Sequence, residues 1–209
     1  MRLVLAGLTA LFVTVPSAAG QELKRPDTWR FRPDRADADT TALFFVGMPP
    51  GWHITTGPSG IMYDPARVAQ GNYRLESEVF FFREKSRDGE GYGIVLGGKD
   101  LDGAADYVYF LLRNDGKFLV RHRAGNGDVH TIQDWTAHEA IVRHTADTEG
   151  ATVKNVITVD AGPETVAFSV NGAQVSGFPR SQMPANGIVG LRVNHGLNLH
   201  VTKLDVMAR

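Results

Sequence analysis

From Tyr107 to Arg123 the chain reads YVYFLLRNDGKFLVRHR, a run of tyrosines and arginines suited to recognition chemistry. Aromatic rings pack on the apolar face of a sugar, and guanidinium forks donate to hydroxyls or carboxylates. Whether they act together depends on how the segment folds back. A three-residue turn, Asn114-Asp115-Gly116, with Gly116 left-handed, pairs Arg113 with Lys117, Leu111 with Leu119, Tyr109 with Arg121 and Tyr107 with Arg123. Alternation then gathers Tyr107, Tyr109, Arg113, Lys117, Arg121 and Arg123 on one side, around Leu111 and Leu119. Val108, Phe110, Leu112, Phe118, Val120 and His122 take the other. A two-residue Asp-Gly loop would mix the sides, setting Arg121 opposite Phe110. The first register predicts a sheet that presents tyrosines and cations outward, with Trp52, Tyr92 and Asp102 at its rim.

Other groups offer different chemistry. Glu76 and Glu78, in LESEV, point the same way along a strand. A carboxylate pair could serve as acid and base in glycosidic cleavage, which needs two carboxyls about 5 to 9.5 Å apart. The third acid of a Glu-x-Asp-x-Glu run is replaced by Phe80, and the plainer expectation is a polar strip paired with arginines of a neighbouring strand. Asp100, Asp102 and Asp106 share the loop KDLDGAAD, a cluster that would suit calcium or form a solvated turn. The histidines show no His-Glu-x-x-His spacing: His138 and His144 are too far apart for it, and His195 and His200 fall on opposite faces of a strand. No Gly-x-Ser-x-Gly elbow, phosphate loop or cysteine nucleophile is present. The segment from Pro49 to Pro65, PPGWHITTGPSGIMYDP, is expected as an aromatic-bearing loop at a sheet edge, where Trp52 walls a ligand or plugs the sandwich.

The elements that must position these residues read almost entirely at period two. YRLESEVFFF from Tyr73, then YGIVLGG, NVITVDAG, TVAFSV, AQVSGF, GIVGLRVN and LHVTKLDVM are short, rich in Val, Ile, Phe and Tyr, and bounded by Gly, Pro, Asn or Asp. Only WTAHEAIVRH, Trp135 to His144, passes for a helix. Asn171-Gly172 suits a type I′ hairpin turn pairing Val170 with Ala173, Ser169 with Gln174 and Phe168 with Val175. The expected fold is all-β, a two-sheet antiparallel sandwich of the jelly-roll kind.

The chain has 209 residues, no cysteine, 43% hydrophobic residues and a formal net charge of −1. Near-neutral charge argues against nucleic acid, and no apolar run reaches the roughly 18 residues of a membrane span. The opening MRLVLAGLTALFVTVPSAAGQE has the positive start, apolar stretch and small-residue site of a secretory signal peptide, cleaved near Ala19 or Gly20. The expected organisation is a signal peptide over 1–20, an N-terminal extension with the first strands over 21–50, and a sandwich core over 51–209 that forms one domain with that extension. The protein would then be secreted or periplasmic.

NVITVDAGPETVAFSVNGAQV and NGIVGLRVNHGLNLHVTKLDV resemble the closing strands of concanavalin A-like jelly-roll domains. The likeness is nearest to the bacterial secreted domain of unknown function 1080, a group described as 3-keto-disaccharide hydrolase-like. Asn155, Asn171, Gly172, Gly187, Gly190 and Leu191 fill its motif positions, with a looser match from Gly51 to Val206. The family's Asn-Ser-Gly is replaced by Tyr92-Gly93-Ile94, and Gly97-Gly98 stand where its arginine is expected. The resemblance implies the fold and a glycan-directed role. Read together, the residues lead to a secreted carbohydrate-binding domain. The alternatives are a glycoside hydrolase acting on a (3-keto-)disaccharide or glycan, and a protein–protein interaction module. The expected partner is a carbohydrate, with no stable membrane insertion and a monomeric or weakly oligomeric state.

Overall fold

The computed structural model describes residues 23–145, 148 and 152–209; the expected signal peptide, 1–20, lies outside them. Among the described residues fourteen strands follow in order: β1 (Arg30–Pro33), β2 (Phe44–Gly47), β3 (Trp52–Thr55), β4 (Gly60–Ala69), β5 (Tyr73–Phe82), β6 (Gly91–Lys99), β7 (Asp106–Arg113), β8 (Lys117–Arg123), β9 (Val129–Ala137), β10 (Thr152–Ala161), β11 (Thr165–Val170), β12 (Ala173–Pro179), β13 (Gly187–Val193) and β14 (Asn198–Ala208). They form two seven-stranded sheets, a front sheet ordered β1-β4-β13-β6-β7-β8-β9 and a back sheet ordered β12-β11-β10-β5-β14-β3-β2. Every pairing is antiparallel.

The alternation in β5 shows why the sheets close face to face. Tyr73, Leu75, Ser77, Val79 and Phe81 are buried, while the residues between them stay half-exposed. The buried Ser77 hydroxyl donates to the Lys203 carbonyl at 3.0 Å, so no polar atom of that side chain is stranded. Facing side chains from both sheets interlock; Phe110 of the front meets Phe168 of the back edge-to-face at 5.1 Å.

The β7–β8 hairpin has the predicted register at every pair from Tyr107↔Arg123 to Arg113↔Lys117, with Gly116 at φ 82°. The Asn171-Gly172 turn has positive φ at both positions, 51° and 86°. It pairs Val170 with Ala173 and Ser169 with Gln174, but a bulge then sets Phe168 against Ser176 rather than Val175. One extra residue on β12, the edge strand of the back sheet, increases the local twist there.

Two further expectations are corrected. Pro49–Pro65 is not a loop: Trp52–Thr55 and Gly60 onward are strands, because the Gly57-Pro58-Ser59 turn separates two β-rich runs. Trp135–His144 is not a helix: Trp135–Ala137 finish β9, and the rest is an irregular connection with a single turn at Glu139–Ala140. Asparagines pin that connection. Asn155, fully buried, accepts from the Val142 amide at 2.9 Å and donates to the Val142 carbonyl at 2.9 Å, and Asn171 donates to the Ala140 carbonyl at 2.7 Å. With these backbone groups satisfied by side chains, the segment needs no helix.

Candidate functional site

The outer side of the front sheet gathers the residues singled out by chemistry. Alternation in β7 and β8 places Tyr107, Tyr109, Arg121 and Arg123 there, and the pairing register continues the row across the sheet. Tyr109 lies beside Val95, Val95 beside Gly190, Gly190 beside Tyr63 and Tyr63 beside Arg30. The next row runs from Leu111 through Gly93 and Arg192 to Ile61 and Arg32. A second apolar cluster results, distinct from the inter-sheet core, in which Leu111, Leu119, Val95 and Ile61 pack with the tyrosines under Leu101 and Ala105 of the β6–β7 loop.

The rings are therefore not presented outward as expected. Tyr107 is 3% and Tyr109 7% exposed. Arg192, itself buried, holds its guanidinium 5.4 Å from the Tyr109 ring centroid, a cation–π stack. It also binds both carboxylate oxygens of Asp34, Nη2 to Oδ2 at 2.6 Å. The Ser59 hydroxyl donates to the same carboxylate at 2.6 Å. Burial alone would raise the Asp34 pKa; Arg192, with Ser59, outweighs it and holds the carboxyl below the usual range. Arg113 lies 4.4 Å from the Trp135 ring centroid and donates to Asp115 at 2.5 Å. On this face the Arg121 side chain is 34% and the Arg113 side chain 19% exposed, and Trp135 is half-buried.

Hydrogen-bonding capacity is left over. The buried Nε atoms of Arg113, Arg121 and Arg192 have no partner. The acid nearest Arg121 is the exposed Asp134, at 4.0 Å. Burial raises the Tyr107 pKa, so its hydroxyl stays protonated and can donate.

The remaining predicted residues go elsewhere. Trp52, in β3 of the back sheet, packs on the inter-sheet core with its ring 4.7 Å from Trp29, and Arg67 lies over both. Tyr92 points into the inter-sheet core, not to a rim, because it falls on the inner side of β6. It stacks on Phe81 at 5.7 Å, accepts from Asn155 at 3.1 Å, and burial pushes its pKa up to about 12. Asp102 does reach the edge of the outer face, accepting from the Tyr63 hydroxyl at 2.5 Å and from Arg30. Asp100 caps the Ala104 amide at 2.8 Å, and Asp106 meets His122 at 3.0 Å. The three acids of that loop turn to three different partners, and among the described residues no three His, Asp or Glu side chains gather as metal ligands would.

Glu76 and Glu78 sit on the outer side of the back sheet. Their partners are lysines, not arginines: Lys203 reaches Glu76 at 2.5 Å and Lys154 reaches Glu78 at 3.2 Å. The Thr202 hydroxyl bond, 2.8 Å, and then Lys154 hold the Glu78 carboxyl below its ordinary range, opposite to what a general acid requires.

Arg192, Asp34, Ser59 and Trp135 were not singled out by sequence reasoning. The available signal was Arg192 itself, a lone cation inside the apolar strand GIVGLRV. Ser59 also lies 3.3 Å from His195 Nε2, whose Nδ1 is 3.8 Å from Glu90. That resembles a nucleophile–base–acid arrangement, but the Ser59 proton is committed to Asp34 and the residue is 4% exposed. It is a polar clasp at the end of the sheet.

No family model matches the chain, and no curated protein matches it. Solved structures do. The carbohydrate-binding module CBM66 from Bacillus subtilis aligns over 87% of this chain and 96% of its own, with a TM-score of 0.60 and 10% identity. A Bacillus subtilis protein of unknown function with a galectin-like fold aligns over 87% and 90%, with a TM-score of 0.58 and 8% identity. The GH43 protein BlXynB from Bacillus licheniformis aligns over 87% of this chain and 37% of its own length, with a TM-score of 0.54 and 16% identity. At such identities the likeness is one of fold, and the fold is an antiparallel two-sheet jelly roll.

Proposed function

We propose that the protein is a secreted or periplasmic carbohydrate-binding domain that takes its ligand on the outer side of the front sheet, around Arg121, Arg123, Arg113 and Trp135. The observation that carries this reading is the pair Arg121 and Arg123, side by side on β8, of which Arg121 meets only a distant, exposed acid and Arg123 no ion-pair partner among the described residues. Planar guanidinium donors in the strand beside buried tyrosines, with a half-exposed indole stacked against Arg113, are what vicinal hydroxyls and a ring face require. The near-complete overlap with a carbohydrate-binding module supports it at the level of fold. The charge, apolar stretch and small-residue site of residues 1–20 support export.

The likeness of the closing strands to the domain of unknown function 1080 group belongs to this proposal too, but it brings no catalytic residue. Its motif residues Asn155 and Asn171 pin a connection, and Glu76 and Glu78 are held by lysines on the opposite sheet. Binding without turnover is the reading that follows. The test is a thermal-shift panel of soluble glycans, followed by a reducing-end assay on any that bind. A glycan-specific rise in Tm, reduced in Arg121→Ala and Trp135→Ala, with no new reducing ends, is expected. Mass action gives about 2.7 kcal/mol of stabilisation at a hundredfold excess over Kd. No shift with any glycan would overturn the reading.

A further inference from the structure

We infer that Arg121 and Arg123 form a subsite for the carboxylate of an acidic sugar, a uronate residue within a glycan; the inference rests on the carbohydrate-binding reading above. The argument is one of charge balance. Each other cation on the outer side of the front sheet has its counterpart. Arg30 holds Asp102, Arg113 and Lys117 share Asp115, and Arg192 holds Asp34. Arg32 donates to the carbonyls of Leu101 and Gly103 at 2.8 and 2.7 Å. Arg121 and Arg123 are the exception. Arg121 has only Asp134, 77% exposed and at the 4.0 Å limit of an ion pair, and its Nε is buried and unpaired. The Arg123 side chain has no hydrogen bond or ion pair with any described residue; its charge is felt by Asp34, whose carboxylate is already bound to Arg192.

The two side chains leave the same side of β8, opposite Tyr109 and Tyr107. Alternate residues of a strand stand about 7 Å apart, so two forks can hold one carboxylate together, or one carboxylate and the hydroxyl beside it. Their cross-strand neighbours Tyr109 and Tyr107 are almost wholly buried and the Arg121 side chain is itself only 34% exposed, which limits water around it and strengthens a charge-assisted bond to it. A neutral sugar would leave both charges as they are. A planar carboxylate matches the fork in two hydrogen bonds and cancels the excess.

The experiment is calorimetric titration of the purified protein with uronate oligosaccharides (galacturonate, mannuronate and glucuronate series), their carboxyl-reduced neutral counterparts, and a sulfated oligosaccharide. The variants are Arg121→Gln, Arg123→Gln and Arg121→Lys, with Lys203→Gln on the far sheet as control and urea midpoints as the check on folding. At least one uronate series is expected to bind about tenfold or more tightly than its reduced counterpart. Each Gln variant should lose that preference, so that acid and reduced forms bind it alike; Arg121→Lys should lose part of it, and Lys203→Gln none. Equal affinity for acid and reduced forms, or Gln variants that bind uronate as the parent does, would overturn the acidic subsite and leave a neutral-sugar site standing. Preference for the sulfated sugar would overturn the carboxylate assignment. Binding of none of them would overturn the carbohydrate reading as well.

Discussion

On the outer side of the back sheet, Arg74 grips Asp160 through hydrogen bonds of 2.9 and 2.7 Å, Arg209 adds a contact at 3.1 Å, and Lys203 and Lys154 answer Glu76 and Glu78. On the outer side of the front sheet, two arginines lie across from buried tyrosines, and the one acid near them, the exposed Asp134, is 4.0 Å from Arg121. Both faces carry charged side chains at strand spacing, and the difference is what lies beneath. Behind the back-sheet ladder is backbone whose other side is the core. Behind the front-sheet arginines is a second apolar cluster. A ladder of matched charges keeps a sheet face soluble and contributes little to stability. Cations beside an apolar cluster and without a close counter-charge are costly to desolvate, and that cost makes sense where a ligand completes the site.

If the second cluster is packed as tightly as the inter-sheet core, neighbouring leucines on opposite sides of β7 should matter alike. Leu112, on the inner side, is fully buried, and Leu111, on the outer side, is 2% exposed. Leu112→Ala and Leu111→Ala should each cost about 2 to 5 kcal/mol in urea unfolding. A loss below about 1 kcal/mol for Leu111→Ala alone would mean a loosely covered outer face, and the contrast drawn above would fail.

The next effect concerns the ion pair at the margin of that cluster. Asp34→Ala leaves Arg192 buried without its partner, which should cost about 2 to 3 kcal/mol, below the range for fully buried pairs because a third of the Asp34 side chain reaches solvent. The sign of its pH dependence follows from the direction of the shift. The Asp34 pKa is lowered in the folded protein, so its contribution is fully present above the ordinary carboxylate value of 3.8 and is lost as pH falls through the lower folded value. Asp115, Asp160 and Glu78 are lowered too and add to the loss. Denaturation followed from pH 6 down to pH 2.5 should show the parent losing stability more steeply than Asp34→Ala; parallel curves would remove Asp34 from the account.

How much of this was readable beforehand divides along the same two faces. Period-two alternation and turn chemistry suffice for β5, for the β7–β8 register and for the two-sheet sandwich, because those rules are local. They also place Tyr107, Tyr109, Arg121 and Arg123 on one side. They say nothing of what covers that side. Tyr109 is buried because Arg192 arrives from a strand far along the chain, and Asp34 meets Arg192 across 158 positions. Tyr92 was misplaced for a related reason: β6 is buried on both sides, so its aromatic residue gives no sign of which side it serves. Trp135 was lost to a short helical pattern that two asparagines, Asn155 and Asn171, overrule.

The smallest expected effect tests the other half of the contrast. Glu76 and Lys203 meet at 2.5 Å on the back sheet with side chains 20% and 38% exposed. Both keep contact with water, so each gains modest Coulomb energy and forfeits side-chain freedom to hold the geometry. A double-mutant cycle of Glu76→Gln and Lys203→Met should return a coupling of about 0.2 to 1 kcal/mol. Added salt should shrink it, because exposed charges are screened over about 10 Å at 0.1 M ionic strength. Neither substitution should change affinity for a ligand on the front sheet, since the two faces are separated by the whole inter-sheet core. A coupling above about 2 kcal/mol, insensitive to salt, would show that the ladder is held in a drier setting than its exposure indicates. A loss of glycan affinity in either variant would move the binding site to the back sheet, where Glu76 and Glu78 would again be candidates.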